Sequence, residues 1–413
     1  MVDPRRAAEN GRTYRKRMTA LLAIEGGSPV RSSVLPYGRQ SVDDDDIRAV
    51  VEVLRSDWLT TGPKVAEFED AFASYVGARH AVVVNSGTAA LHAAAFACGL
   101  TKGDEAITTP LTFAASANCI LYQQAHPVFA DVNADTLNLD PEQVRAKVTR
   151  RTRALIPVDY TGQPADMDEM RAIAEDRGLT VIEDAAHAPG AMYKGRRVGT
   201  LATMTVFSLH PVKHLTTGEG GVVTTDDPKL ARQLRIFRNH GLTSDAQERK
   251  EQGVWFYEMA YLGFNYRITD MQCALGLSQL KKVDGWLERR RDIAARYGEA
   301  LRLMPEIELP VVRPDCEPAW HLFIILLNLE KLRVGRAEVF RALRAENIGV
   351  NVHYVPVPWH PYYRNLGYEP GNWPVAEGAY ERMLSLPIFP TMSDFDVNDV
   401  IEALDKVMRA YRQ

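Results

Sequence analysis

Cysteine is scarce in this chain, with four residues in 413 (Cys98, Cys119, Cys273 and Cys316) and no C-x-x-C spacing among them. That scatter excludes a zinc ribbon and a disulfide framework, and it points to a reducing compartment, the cytoplasm. Long apolar runs are missing as well. No stretch approaches the ~18 residues of a membrane span, and the LLAI near the N-terminus is too brief for the apolar segment of a signal peptide. Charge of one sign is not in excess: 49 basic and 53 acidic residues leave a formal net charge of −4. Such a balance gives no field for gathering nucleic acid or an anionic membrane. Internal repeats and low-complexity tracts are also lacking.

What is present is an apolar fraction of 46%, sufficient for a large core. Seven short runs, mostly β-branched, read as buried strands: 81–84, 105–110, 127–132, 153–160, 179–185, 203–209 and 221–227. Helical patterns alternate with them. SVDDDDIRAVVEVLRS places Ile47, Val50, Val51 and Leu54 on one face, with Ser41 or an early Asp as N-cap. Its four aspartates resemble a metal cluster, but carboxylates in a first helical turn offset the macrodipole, and no partner ligands accompany them. SGTAALHAAAFACGL (86–100) and MDEMRAIAEDRG (167–178) are two further helices. Strands alternating with helices indicate a mainly parallel central sheet with helices on both faces. From about residue 270 the character changes. One long helical stretch (270–303) carries Leu280, Val283, Leu287, Ala294, Tyr297 and Leu301 on a stripe. Extended segments near 322–328 and 349–355 and a final helix near 396–411 follow. The division expected is an N-terminal arm (1–30), a large α/β domain (31–270), and a long connecting helix with a smaller C-terminal α+β domain (271–413).

Three sites carry chemistry in this frame. In FSLHPVKHLTTGEGG, Lys213 follows strand 203–209, at the carboxyl edge where open α/β sheets bind ligands. A partly desolvated lysine there is a nucleophile toward carbonyls; a solvated loop lysine is the alternative. In VIEDAAHA an apolar strand ends in Glu183 and Asp184. A buried carboxylate needs a cationic or hydrogen-bonding partner, and a protonated pyridine nitrogen is one; a helix cap is the alternative. In NSGTAAL the Ser86-Gly87-Thr88 turn opens a helix and offers amides and hydroxyls to an anion such as a phosphate. Phe113, just past strand 105–110, is placed to stack on a flat ring. Phosphate turn, aromatic, strand-end Asp and strand-end Lys together suit pyridoxal 5′-phosphate, an electron-sink cofactor. GEGG lacks the G-x-G-x-x-G form of a dinucleotide site. His210 and His214 stand four residues apart, but Pro211 between them disfavours the regular helix a metal pair needs.

NSGTAAL, GDEAITTPLTF, GQPADM, VIEDAAHAPGA, FSLHPVKHLTTGEGG and LGFNYRITDMQCALGLSQL, in that order, resemble the DegT/DnrJ/EryC1/StrS sugar aminotransferases. The resemblance runs from about Leu35 to the end and implies a fold-type-I pyridoxal-phosphate transferase. It implies that Lys213 is the lysine bonded to the cofactor aldehyde, and that Asp184 faces the ring nitrogen. Further implied contacts are His187 with the ring or its hydroxyl, Ser208, Gly87 and Thr88 with the phosphate, and Phe113 over the ring. Asn265 and Arg267 match positions that reach the phosphate region of a neighbouring subunit, so a homodimer is expected. Relatives that are dehydratases carry His where this chain has Lys213, which favours transamination here. HPVKHLTTGEGG and VNVHYVPVPWHPYYRNLGY look like the branch that aminates C4 of nucleotide-linked 4-keto-6-deoxy sugars, with glutamate as the expected donor. His353, Tyr354 and Trp359 are candidates for the sugar or nucleotide pocket. Amination of another keto position (C3 of a sugar, or a keto-cyclitol) and a non-catalytic sugar-nucleotide sensor are the rival readings.

Overall fold

A computed structural model describes residues 21–244, 249 and 253–413. Most of the expected N-terminal arm, residues 1–20, lies outside the described residues.

The seven apolar runs form one sheet. Its strands are β1 (His80–Val84), β2 (Glu105–Thr108), β3 (His126–Phe129), β4 (Thr152–Ile156), β5 (Thr180–Asp184), β8 (Met204–Ser208) and β9 (Gly221–Thr225), in the order β1-β9-β8-β5-β4-β2-β3. A small hairpin, β6 (Met192–Tyr193) and β7 (Arg196–Arg197), lies between β5 and β8 in the chain. Only β9 runs antiparallel, wedged between β1 and β8. The sheet is therefore mainly parallel, as its near-continuous apolar runs predict. Residues alternate between faces: Val83 joins the core that holds Phe68, Phe72 and Phe207, and Val82 and Val84 join the opposite core with Leu91, Ile182 and Val206. With helices over both cores, the carboxyl edge of the parallel strands is left to carry a site.

A second apolar core gathers Tyr297, Leu301, Phe323, Ile325, Val350, Leu384, Val400 and Leu404 from the C-terminal part. Here β10 (Ile307–Glu308), β12 (Phe323–Leu327) and β13 (Met383–Leu386) make a three-stranded sheet, while β11 (Cys316–Glu317) pairs with β6. Residues 21–35 pack on this part. The fully buried Glu346 accepts bonds from the amides of Ala23 and Val30, both at 2.9 Å, and pairs with Lys406 at 2.7 Å. Each charge-assisted bond offsets part of the cost of burying that carboxylate.

Three local expectations are corrected. The stretch 270–303 is two helices, Asp270–Leu280 and Val283–Leu301. At the break, Gln279 donates to Asp46 and to the carbonyl of Ser41, and Lys282 pairs with Asp43 at 2.5 Å and Asp46 at 2.9 Å. Side chains tied to another helix hold the junction that an apolar stripe alone would run through. Segment 349–355 is not a strand; only Asn351 bridges to Ser385, and the strand that fills the position is β13. In helix Asp44–Leu54, capped by Asp43 with a reciprocal bond from Asp46, the stripe expected inside is partly outside: Ile47 and Leu54 are exposed, while Asp46 and Val53 are buried.

Next to the carboxyl edge, Glu183 is fully buried, with Oε2 bonded to the Thr205 hydroxyl at 2.8 Å and Oε1 without a partner. Burial pushes its carboxyl up to about 7. A raised acid is protonated in the fold at pH values where the unfolded chain has lost the proton, so stability falls as pH rises through 7. We expect Glu183→Gln to remove that part of the slope. Buried Asp159, shifted in the same direction, contributes to both proteins. Urea midpoints at about pH 5 and about pH 8 will show a smaller drop in the variant; equal drops would refute the assignment.

Candidate active site

The C-terminal ends of β1, β5 and β8 deliver the candidate residues. After β1, Ser86 caps helix Gly87–Ala97 by accepting from the amide of Ala89 at 3.1 Å. The first intrahelical bond is Ala90 to the Ser86 carbonyl, so the amides of Gly87 and Thr88 precede the ladder and face an anion at the positive helix end. Gly87 lies close to the end of β8: an added Cβ would stand 3.0 Å from Cβ and 3.1 Å from Oγ of Ser208, tight enough that Ser208 would have to give by a few tenths of an ångström. The turn and Ser208 thus form one polar cradle. Gly221 of β9 backs it, since a Cβ there would stand 2.4 Å from the Ser86 carbonyl oxygen.

Asp184 ends β5 with 3% of its surface exposed. Oδ2 accepts from the Ser116 hydroxyl at 2.6 Å and Oδ1 from the amide of Ala186 at 3.2 Å. Burial raises its carboxyl above the usual range despite these bonds. Three residues on, His187 Nε2 meets the Tyr354 hydroxyl at 3.1 Å and its Nδ1 has no partner.

Lys213 lies in the loop after β8, half-buried, with Nζ 3.3 Å from Nε2 of His321. Desolvation lowers its ammonium to about 7, opposed by the Asp184 carboxylate and helped by the Arg290 guanidinium. Three imidazoles surround the amine: His321 is 4.5 Å from His187 and 5.7 Å from His214, ring centre to ring centre. Burial holds all three well below the ordinary histidine value, hence neutral. His214 is buried and bonds the carbonyl of Ala319 at 2.8 Å, whereas His210 is exposed. No group of three or more metal-ligating side chains occurs among the described residues.

The remaining candidates are more dispersed. Phe113 is 59% exposed, its ring 6.1 Å from Tyr354. His353 is buried, with Nδ1 bonded to the Ser385 hydroxyl at 2.8 Å and its ring 5.1 Å from Tyr37. Trp359 is turned to Glu377, which accepts its indole N–H at 3.2 Å, and to Tyr380. Asn265 stands beside the cradle of its own chain: its carbonyl accepts from Asn85, whose amide bonds the Tyr266 carbonyl. Arg267 donates to Asn239 at 2.8 Å. Four residues at the site escaped sequence reasoning: Ser116, His321, Arg290 and Tyr37. Ser116 follows Phe113 in a run of small residues, and Arg290 is the middle of three consecutive arginines, so neither carries a local signal.

Pyridoxal 5′-phosphate fits this donor set. A close-packed cradle of amides and hydroxyls suits its phosphate, the desolvated Asp184 lacks only a cationic partner, the orphaned Nδ1 of His187 is a free ring contact, and Lys213 is close to its neutral, nucleophilic form.

Comparisons with known proteins agree with the fold. Residues 40–405 match the DegT/DnrJ/EryC1/StrS aminotransferase family. The spore coat polysaccharide biosynthesis protein SpsC of Bacillus subtilis is 46% identical over 92% of this chain and 98% of its own. A putative sugar aminotransferase of Streptococcus pneumoniae, solved in its PMP form, superposes with a TM-score of 0.86 at 31% identity, covering 91% of this chain and 99% of that one. PseC of Helicobacter pylori, described as an aminotransferase in pseudoaminic acid biosynthesis, superposes with a TM-score of 0.85 at 30% identity, over 92% of this chain and all of that one.

Gly87→Val tests the cradle. A larger side chain at 87 meets Ser208, so affinity for pyridoxal phosphate is expected to fall at least about tenfold, near 1.4 kcal/mol, with the far-ultraviolet circular dichroism unchanged. Fluorescence titration of cofactor-free protein checks it; wild-type affinity would remove the cradle from the site.

Proposed function

The chain belongs to the DegT/DnrJ/EryC1/StrS aminotransferase family, a family of pyridoxal-phosphate-dependent sugar aminotransferases, and on that premise we propose that it transfers an amino group from glutamate to the C4 keto group of a nucleotide-linked 4-keto-6-deoxy sugar. The observation that carries the catalytic part is a single lysine, Lys213, brought to about 7 beside three neutral imidazoles and a buried carboxylate. The sugar part is supported by PseC and SpsC, whose descriptions concern an unusual amino sugar and a polysaccharide.

When bound, pyridoxal phosphate supplies the carbonyl that receives the amino group and a ring that draws off the electron pair of the broken C–H bond. The protein's residues do the rest. Ser208 and the amides of Gly87 and Thr88 hold the phosphate. Asp184 faces the ring nitrogen and favours its protonated form, and Ser116 keeps that carboxylate oriented. His187 contacts the ring or its hydroxyl. Lys213 Nζ takes the proton from the α carbon of the donor and returns one to the product side, a general acid–base role suited to a group that titrates near neutrality. Phe113, Tyr354, Tyr37 and His353 give the opening an aromatic wall suited to a sugar ring.

A second subunit completes this reading. Trp255, Phe256, Tyr257, Met259 and Leu262 are all more than half exposed, in a segment that runs straight into Asn265 and Arg267. Trp58 and Leu59 are exposed as well. Contiguous exposed apolar surface of this kind marks an interface, and a twofold copy would bring its own Asn265 and Arg267 toward the cradle.

Two measurements test the function. Glutamate added to the purified holoenzyme is expected to replace the visible band of the lysine-bound cofactor with the pyridoxamine band. Lys213→Arg abolishes the conversion, and borohydride trapping places the label on Lys213. Cofactor binding without conversion by any amino acid would overturn the enzyme reading, and product NMR showing nitrogen away from C4 would overturn the regiochemistry. Sedimentation of wild type is expected to give a dimer, and Leu262→Glu with Trp255→Asp a monomer with at least about tenfold lower cofactor affinity. A monomeric wild type with full activity would reject the shared site.

A further inference from the structure

Arg290 is an anomaly behind the lysine. Its side chain lies on helix Val283–Leu301 with 1% exposure, and no carboxylate among the described residues pairs with it. Nη1 donates to the backbone carbonyls of Trp320 at 3.0 Å and Ile388 at 2.9 Å, and Nε has no partner. A buried, unneutralised guanidinium is costly, and an apolar side chain of similar volume would fill the space without that cost.

What it holds is informative. Trp320 precedes His321, whose single hydrogen bond is to Nζ of Lys213. The neighbouring backbone is held from other sides: Ala319 bonds Gly162 and His214, and the amide of Leu322 bonds Thr161. The His321 ring leans on His187 and His214, neither of which bonds Lys213 in its place.

We propose that Arg290 and His321 are positioning residues for Lys213: Arg290 anchors the 320–321 backbone as a buried cation, and His321 fixes the direction and the proton of the lysine amine. His321 Nε2 accepts from the ammonium or donates to the lone pair of the free amine, so it fixes the direction of Nζ in either state. Arg290, always charged, opposes a second cation at Lys213. The other groups facing Lys213 are His187 after β5, His214 on its own loop, His353 and Asp184. Burial keeps the histidines neutral, which leaves Arg290 as the cation and Asp184 as the opposing anion.

The inference rests on Lys213 as the reactive amine, which borohydride trapping decides separately. Its test begins with cofactor-free full-length protein, trace-acetylated with acetic anhydride across a pH series and read by peptide mass mapping. Wild-type Lys213 is expected to reach half its limiting reactivity near about 7. Arg290→Met raises that midpoint by about one unit and lowers reactivity at pH 7 about fivefold. Arg290→Lys keeps the charge but loses the two-carbonyl anchor. It should keep the midpoint and lose about tenfold in the glutamate half-reaction at saturation, with KM within about twofold. His321→Phe shows the same loss and His321→Gln regains part of it, because only Gln restores a polar contact to Nζ. An unmoved midpoint in Arg290→Met, or wild-type rates in Arg290→Lys or His321→Phe, overturns the proposal. If Arg290→Met fails to accumulate, the Arg290→Lys and His321 variants decide it.

Discussion

Asp184 ends the central strand β5 nearly sealed from solvent, with one hydroxyl and one amide bonded to its oxygens. A carboxylate so placed costs free energy in every state that does not bring it a positive partner. The register between β5 and β8 sets Asp184 opposite Val206, and the chain leaves β8 two residues later into the loop that carries Lys213. The amine and the acid therefore reach the same small volume because two parallel strands are hydrogen-bonded and a short loop after β8 carries Lys213 the remaining distance. Each favours the charged form of the other, against the desolvation that both suffer.

The pocket is also a junction. Its floor comes from the large sheet, but His321 enters at the head of β12, and His353 and Tyr354 come from a segment held by β13. Tyr37 arrives by a third route, since the bridge between Leu35 and Ile348 ties the N-terminal stretch to the same part. Floor and wall thus come from different parts of the chain and meet only through tertiary packing.

Legibility in the sequence followed the range of the forces involved. The seven strands were readable because burial on both faces keeps each run largely apolar and β-branched. Lys213, Asp184 and the 86–88 turn were readable because strand ends put them at the edge where ligands bind. The break at Lys281 and Lys282 was not, because the ties to Asp43 and Asp46 come from more than two hundred positions away in the chain. Ser116, His321 and Arg290 were hidden for the same reason: their partners Asp184, Lys213, Trp320 and Ile388 are brought to them by tertiary folding. The outward Ile47 and Leu54 were misread because helical periodicity reports an apolar face without saying whether its cover lies in the same chain.

The antiparallel wedge β9 has a consequence for the order in which a ribosome releases the protein. Strand β1 has no neighbour in the sheet except β9, and Gly221 backs the Ser86 carbonyl from behind. Synthesis delivers the anion-binding turn early and its support much later, after five other strands of the sheet have emerged. Until Thr225 clears the exit tunnel, β1 presents two unpaired edges, so the last strand of the sheet to be made is the one that closes it, and the growing chain carries an open edge until then.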